Sequence, residues 1–248
     1  MKRFLLALAL FAAFEPAFAE RRDSVYTASE QFKISKLIAP ASLVGVGAIC
    51  AFTPALQGWI DQPVKDWATS HNGGKDLKLD GYLQFAPLAG YGLAAVCGAG
   101  EHGIWEQALA GATAFLFMFG TVHGLKYATV RTRPNGSSRS FPSGHTATAF
   151  MGAELIRLEY GPWWGLAAYG VACTTAFFRV WNNWHWTTDL LAGAGIGILS
   201  ANAAYWLLPL ERKLFGLNAK KAVRLSSVPY AAPTPMGSAY GLCLTMTF

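Results

Sequence analysis

The sequence predicts an all-α fold: a six-helix transmembrane bundle with an N-terminal signal-like segment and a short C-terminal β-hairpin tail. The first observation is composition, since 53% of the 248 residues are hydrophobic and only 14% are charged. This is too apolar and too poor in charge for an ordinary soluble domain. The second is a series of six apolar segments, and the third is a change to basic and then alternating residues near the C-terminus.

The six apolar segments predict a membrane domain over residues 37–210. A helix needs roughly 20 residues to cross a hydrocarbon core of about 30 Å. The candidate spans are residues 37–56, 82–100, 105–125, 146–160, 162–178 and 188–208. Several are short and rich in Gly, Ala and Ser, which favours helices packed closely together in lipid. Between the first two spans, residues 57–80 fit either an interfacial amphipathic helix or a plain loop.

The two ends of the chain have patterns of their own. Residues 1–19 start with Lys2 and Arg3, continue as an apolar run and end in small residues, which is typical of a signal peptide or an uncleaved anchor. Residues 20–36 form a polar N-terminal segment. Residues 211–248 start with a basic patch and end in alternating residues around a turn-forming stretch, which predicts a β-hairpin tail.

The charge balance narrows the expected partners. The formal net charge is +6, but the basic residues are neither massed in one run nor interleaved with aromatic residues, so nucleic acid is not expected. The bilayer and a phosphorylated substrate fit better. No metal and no other cofactor is expected, because no carboxylate cluster suits magnesium and no cysteine pair has the spacing of a zinc site.

Three polar clusters lie at the ends of the apolar segments, where a charge near lipid is costly and indicates a function. In chain order they contain Lys126, Arg133 and Pro134; residues 142–145; and Arg179, His185 and Asp189. When the spans are followed along the chain, all three clusters emerge on the same face of the membrane. We therefore expect them to converge in one pocket.

The cationic residues of these clusters fit a phosphate group. Lys126, Arg133 and Arg179 offer one point charge and two planar guanidinium groups to its oxygens. Ser143 is expected to cap the fourth predicted helix, and the free N–H groups there, with that of Gly144, would face the same anion. Together they predict a preorganised anion hole.

The acid–base residues fit transfer of that phosphate. His185 and Asp189 are four residues apart at the start of the sixth predicted helix, so we expect them to share a face. The carboxylate can then hold one ring nitrogen of His185 while the other attacks phosphorus. His145 is left to protonate the departing alkoxide.

Taken together, the clusters resemble the three-part signature of the type-2 phosphatidic acid phosphatase superfamily, which includes bacterial acid phosphatases and vanadium haloperoxidases. Spacing and residue type agree in all three parts, and the resemblance covers residues 82–208. It implies metal-independent catalysis through a phosphohistidine. The implied roles are catalysis by His185, His145 and Asp189, and phosphate binding by Lys126, Arg133, Ser143, Gly144 and Arg179. Phe178 departs from the family pattern, which usually has Ser before the arginine, and this removes one hydroxyl donor.

Other polar and aromatic residues near the clusters are placed outside the expected site. The histidines interpreted as structural or exposed are His71, His102 and His123. The tryptophans Trp181, Trp184 and Trp186 are interpreted as interfacial belt residues, with guidance of a lipid tail as the alternative.

Resemblance and composition together imply a lipid phosphatase of the bacterial inner membrane whose substrate arrives from the bilayer. Candidate substrates are lipid A phosphate, undecaprenyl pyrophosphate, phosphatidylglycerol phosphate and phosphatidic acid, with a preference for the first two. Two alternatives stay open. One is a vanadium-dependent haloperoxidase, a class that is typically soluble, and the other is a noncatalytic protein that binds or transports a lipid phosphate.

Two signals disagree about orientation. An exported N-terminus followed by three spans would put the clusters in the cytoplasm. The distribution of Lys and Arg between the two faces, together with the family resemblance, puts them in the periplasm. We retain the periplasmic prediction, which requires that residues 1–19 do not act as an export signal or that one apolar segment does not span.

Overall fold

The computed structural model describes residues 31–73, 78–217, 224–234 and 237–247. The signal-like segment 1–19 and residues 20–30 of the polar segment lie outside the described residues. The helices are α1 (Ser35–Phe52), α2 (Pro54–Leu56), α3 (Gln62–His71), α4 (Asp80–Leu83), α5 (Ala86–Val96), α6 (Ile104–Thr129), α7 (Gly144–Tyr160), α8 (Pro162–Trp181) and α9 (Thr187–Phe215). A π-helical turn, Gln57–Asp61, joins α2 to α3.

A helix lies at each of the six predicted apolar segments, namely α1, α5, α6, α7, α8 and α9. By length and composition, three of the described helices are able to cross a membrane: α1, α6 and α9. Helix α5 has 11 residues and α7 has 17, which is short of the roughly 20 that a full span needs. The number of six spans therefore stays a prediction.

Helix α9 is the central element of the bundle and packs against α1, α6 and α7. Its buried face is built largely from Gly and Ala, so neighbouring backbones approach it closely. A Cβ added to Gly197 would lie 2.8 Å from the backbone nitrogen of Met151 on α7 and closer still to the carbonyl of Ala147. The small residues noted in the sequence are thus the contact surface between α7 and α9.

A buried polar cluster lies at the C-terminal end of α7, around Glu159. Its carboxylate accepts hydrogen bonds from Nδ1 of His102 at 2.7 Å and from the hydroxyl of Tyr205 at 2.6 Å. The backbone N–H groups of Glu101 and His102 also donate to it, each at 2.7 Å. Because its polar atoms are paired in this way, Glu159 can be buried, and His102 has a structural role in joining the loop before α6 to α7.

The C-terminal part contains two strands, β1 (Arg224–Thr234) and β2 (Gly237–Thr247). They pair antiparallel, with Arg224 opposite Thr247 and Thr234 opposite Gly237. The start of the predicted tail at residue 211 is instead the last turn of α9, which ends at Phe215 and is followed by Gly216 in a left-handed conformation with φ of 65°. Basic residues in the last helical turn and a glycine after it favour this end point.

We expect Gly197→Ala to lower the free energy of unfolding by about 1–3 kcal/mol, because the added methyl group would force the backbones of α7 and α9 apart. Thermal unfolding of the detergent-solubilised protein measures this. The matched control is Gly170→Ala on α8, where an added Cβ meets no atom within 4 Å; alanine there should leave stability unchanged or raise it slightly. Equal melting temperatures for the two variants would contradict the close α7–α9 packing.

Candidate active site

A cavity of about 500 Å³ lies where the C-terminal half of α6, the N-terminus of α7 and the turn after α8 meet. Six of the eight predicted site residues line it: Lys126, Arg133, Gly144, His145, Arg179 and His185. The other two, Ser143 and Asp189, have no exposed surface and lie behind the wall. The structure therefore brings the three sequence clusters to one place.

His185 is buried directly before α9, and its Nδ1 lies 3.4 Å from Oδ2 of Asp189. The prediction that both residues lie on the helix was wrong in one respect, because α9 begins only at Thr187. Asp189 caps that end by accepting the N–H of Trp186 at 3.0 Å. The backbone N–H of His185 donates to the carbonyl of Arg179 at 3.3 Å, so a turn after α8, rather than helical periodicity, brings the ring to the carboxylate.

Two residues that no motif marked complete the surroundings of Asp189. Nη1 of Arg131 donates to its Oδ1 at 2.6 Å, and the hydroxyl of Ser140 donates to its Oδ2. Both carboxylate oxygens are therefore bonded. A carboxylate held in this way favours the tautomer of His185 that carries its proton on Nδ1, which leaves the lone pair of Nε2 free for nucleophilic attack.

Lys126 and Arg133 supply positive charge to the cavity. Nζ of Lys126 donates to the carbonyl of Arg139 at 3.0 Å. Nε of Arg133 is buried and has no hydrogen-bond partner among the described residues. Burial, and then repulsion from Arg179, lower the pKa of Arg133 below its ordinary value. A bound anion would relieve both costs, because it would pair with the guanidinium and offset the repulsion.

Arg179 and Trp184 form the wall beside His185. Arg179 is buried, and its Nη1 donates to Oδ2 of Asp80 on α4. Its guanidinium carbon lies 5.4 Å from the centre of the Trp184 ring, and that of Arg133 lies 5.6 Å from the same ring. One indole thus contacts both guanidinium groups and helps to orient them. Trp184 therefore belongs to the cavity wall, and its place in an interfacial belt stays a prediction.

The N-terminus of α7 also faces the cavity. Ser143 is its N-cap, as predicted, and Oγ of Ser143 accepts the N–H of Thr146 at 3.4 Å. The N–H of Ser143 donates to the carbonyl of Asp189 at 3.1 Å, which ties α7 to α9. Gly144 and His145 are the first residues of the helix and line the cavity. Free N–H groups and the positive end of the helix dipole therefore favour an anion here.

The rest of the wall is mainly apolar. Helix α6 contributes residues spaced three or four apart, and the turn before α5 contributes one more: Phe115, Met118, Phe119, Val122 and Phe85. The three phenylalanines are 36% to 50% exposed. This end of the cavity is therefore open to the surroundings of the bundle, whereas the end at His185 is enclosed.

Residues 107–213, which include all three clusters, match the PAP2 superfamily. The chain is similar to this superfamily over 107 of its 248 residues. Lipid A 1-phosphatase of Porphyromonas gingivalis is 38% identical over 162 residues, covering 61% of this chain and 35% of that protein. The bacitracin transport permease protein BcrC of Bacillus licheniformis is 32% identical over 102 residues, covering 37% of this chain and 48% of that protein. The chain thus spans about a third to a half of the length of these relatives.

Two solved structures are similar to the chain. The first is the transmembrane PAP2 type phosphatidylglycerolphosphate phosphatase from Bacillus subtilis, with 21% identity and a TM-score of 0.43. The second is LpxE from Aquifex aeolicus, with 19% identity and a TM-score of 0.37. Each match covers 71% of this chain and 96% of the other. Both TM-scores are low, so the resemblance of residues 107–213 to the PAP2 superfamily rests on the sequence matches.

Around the PAP2 motif residues, the structure adds residues from three sequence regions. Arg131 lies two residues before Arg133 in the same loop, and this position is the feature of the sequence that could have identified it as a site residue. Asp61 and Asp80 come from the region between the first two apolar segments, and nothing in the sequence links them to the motifs. His123, which was interpreted as structural or exposed, also lines the cavity, and the centre of its ring lies 4.1 Å from that of Phe119.

Phe178, the departure from the family pattern, packs edge-on against Phe177 with the ring centres 5.7 Å apart. It is not among the described residues that line the cavity. No group of three His, Cys, Asp or Glu side chains within the described ranges is placed to hold a metal ion.

We expect the His185 ring to stay neutral between pH 5 and pH 8, because burial lowers its pKa well below the ordinary value of about 6.5 and Asp189 only partly opposes this. A histidine with a lowered pKa gains its proton only at more acidic pH. The ring ¹⁵N signals of labelled protein, assigned by their loss in His185→Ala, should therefore not move over this range. A midpoint near that of free histidine would contradict the prediction.

Proposed function

We propose that this chain is a membrane-embedded phosphatase that removes phosphate from an envelope lipid, acting on a phosphomonoester or a pyrophosphate. The observation that carries the proposal is the division of one cavity into two ends. Lys126, Arg133 and Arg179 surround His185 at the enclosed end, and the wall at the open end is apolar. A phosphorylated lipid has the same division, with a charged head and an apolar body.

The phosphate would bind at the enclosed end. Arg133 offers a buried Nε without a described partner, and the first N–H groups of α7 add positive partial charge at Gly144 and His145. The phosphate then lies against His185, whose Nε2 points away from the carboxylate bound at Nδ1. Three cationic side chains spread around the phosphate would stabilise the charge that builds up on its oxygens during transfer.

In the first step, the lone pair of Nε2 of His185 attacks phosphorus and the bond from phosphorus to the ester oxygen breaks. The ring gains positive charge as the P–N bond forms, and the carboxylate of Asp189 stabilises it through Nδ1–H. His145, at the start of α7, protonates the departing ester oxygen. The product is the dephosphorylated lipid and a phosphohistidine.

In the second step, water attacks the phosphohistidine. His145, which gave up its proton in the first step, takes a proton from this water, because the acid of one half-reaction acts as the base of the other. The bond from phosphorus to Nε2 breaks, which releases inorganic phosphate and restores His185. Both steps use side chains of the chain itself.

The apolar wall supports a lipid substrate. The stripe on α6 from Phe115 to Lys126 covers twelve residues, and its ends are about 16 Å apart at 1.5 Å per residue, so an acyl chain or prenyl chain has room to lie along it. Because the phenylalanines at this end are exposed, the lipid would enter sideways from the bilayer. Among the candidate substrates, the likeness to lipid A 1-phosphatase favours lipid A phosphate; undecaprenyl pyrophosphate, phosphatidylglycerol phosphate and phosphatidic acid complete the set.

We further propose that all six apolar helices cross the bacterial inner membrane and that the cavity faces the periplasm. Helices α5 and α7 are short for a membrane span. However, α7 begins at the cavity, so its N-terminus contacts the polar side chains of the site and does not need to reach the lipid headgroups. The basic residues at the end of α9, at the opposite end of that helix, then lie in the cytoplasm.

The central test is phosphate release by the purified protein from the four candidate lipids in detergent micelles. We expect His185→Ala to lower the rate at least about 10³-fold, because it removes the attacking atom. His71→Ala is the matched control, since His71 lies exposed on α3 outside the cavity, and it should retain full activity. Equal rates of release by His185→Ala and the unmodified protein would exclude His185 as the nucleophile, and no release by the unmodified protein would favour a noncatalytic role.

Activity should survive chelation, because the proposed steps use only side chains. We expect at least half of the phosphate release to remain after dialysis against EDTA, and added Mg²⁺ should not raise it. A metal-dependent phosphatase assayed in the same buffer provides the positive control for chelation. Complete loss of release in EDTA, restored by a divalent cation, would overturn metal independence without affecting the location of the site.

Orientation is tested by reporter fusions. A cytoplasmically active reporter placed after Phe248 should be active, and a reporter that works only after export should be inactive at the same position. The opposite pair of results would place the basic end of α9 outside and turn the cavity toward the cytoplasm.

A further inference from the structure

Arg131 is a buried cation beside the cavity. Its side chain is only 9% exposed, and it is not among the described residues that line the cavity. It follows α6 after Val130, which has a left-handed backbone with φ of 45°, an unusual conformation for a β-branched residue. Because of this turn, the side chain of Arg131 points in a different direction from that of Lys126. Lys126 lies in the last turn of α6 and faces the cavity.

The guanidinium of Arg131 joins two carboxylates. Nη1 donates to Oδ1 of Asp189 at 2.6 Å and to the hydroxyl of Thr188 at 2.9 Å, while Nη2 donates to Oδ2 of Asp61 at 2.8 Å. A planar group with several fixed donors makes such a bridge, whereas a lysine ammonium cannot cover the same three positions.

Asp61 holds Arg131 in place from the other side. It is the last residue of the π-helical turn, and its carboxylate also accepts the backbone N–H of Thr188 at 3.1 Å and the hydroxyl of Thr188 at 2.8 Å. Helix α1 closes against the same part of α9, since a Cβ on Gly47 would lie 2.7 Å from the nitrogen of Ala192. The turn that carries Asp61 is thus tied to the first turn of the helix that carries Asp189.

The bridge between Arg131 and Asp189 controls how the carboxylate of Asp189 meets the ring of His185. With Oδ1 of Asp189 bound by Arg131, Oδ2 is the oxygen left to meet Nδ1 of His185, with Ser140 on the same atom. Without Arg131, Oδ1 would be a buried anionic oxygen with no partner, so the carboxylate would rotate or take up a proton. Either change would loosen the hold on the His185 tautomer that can attack.

We propose that Arg131, anchored by Asp61, is a positioning residue that acts on the nucleophile His185 through Asp189. The proposal rests on the proposed phosphatase function. Arg131 touches neither the substrate nor the reacting atoms, so its removal should change the rate of the chemical step and leave substrate binding nearly as it was.

The test compares Arg131→Gln, Asp189→Asn and the double variant in steady-state assays on the lipid that the unmodified protein hydrolyses. We expect Arg131→Gln to lower kcat about 10- to 100-fold, the usual range for a residue that orients a ligand or base, with KM changed less than about threefold. In the Asp189→Asn background the same substitution should have no further effect on kcat, because the residue through which it acts has already lost its charge.

Arg212→Gln is the matched control. Arg212 is paired with Glu106 and its side chain is 13% exposed, and it lies 23 residues beyond Asp189 on α9, or about 35 Å away. It should leave kcat unchanged even where it lowers thermal stability, which separates positioning from a general loss of stability. Arg131→Lys, which keeps the charge, should recover part of the activity that Arg131→Gln loses, and it serves alone if Arg131→Gln does not fold.

Three results would overturn the proposal: an unchanged kcat in Arg131→Gln, a loss expressed mainly in KM, or losses from Arg131→Gln and Asp189→Asn that multiply in the double variant. In the case where Arg131→Lys alone is measured, a kcat equal to that of the unmodified protein overturns it. Failure of the unmodified protein to release phosphate from any lipid is a different outcome, because it refutes the proposed function itself and with it the basis of this inference.

Discussion

The buried carboxylate of Asp189 is the interaction on which the site depends. Its oxygens accept from Arg131 and Ser140 in the loop before α7 and from the N–H of Trp186, and they lie against the ring of His185. A carboxylate with no exposed surface is stable only when its bonding positions are filled. The loop and the turn after α8 are therefore both constrained by one ion.

The helix frame makes that arrangement possible because α9 presents mostly Gly and Ala to its neighbours between Ala192 and Gly197. A Cβ on Gly193 would collide with the carbonyl of Ser143, and one on Gly47 would meet the backbone of α9 at Ala192. The N-terminus of α7 and the side of α1 thus reach the first turns of α9 directly. Backbones in contact leave little freedom to move, which suits a site that must hold its groups in a fixed geometry.

The charges of the site are divided by function. Within the described part of the chain, the carboxylates pair with the arginines set deepest: Asp80 with Arg179, and both Asp61 and Asp189 with Arg131. No described ion pair involves Lys126 or Arg133, and both residues line the cavity. The ion pairs thus neutralise the charges that hold the framework, and positive charge remains at the cavity wall.

The sequence by itself determined the helical segments and six cavity-lining residues, because continuous apolar segments and motif spacing are local patterns that a short stretch of chain contains. It also indicated the N-cap at Ser143, which needs only the next three residues. Only the tertiary structure decided that His185 precedes α9 rather than lying on it, and that Arg131, Asp61, Asp80 and His123 belong near the site. Those placements depend on contacts between segments up to 127 residues apart in the chain, and such pairings are set by packing, which no local pattern records.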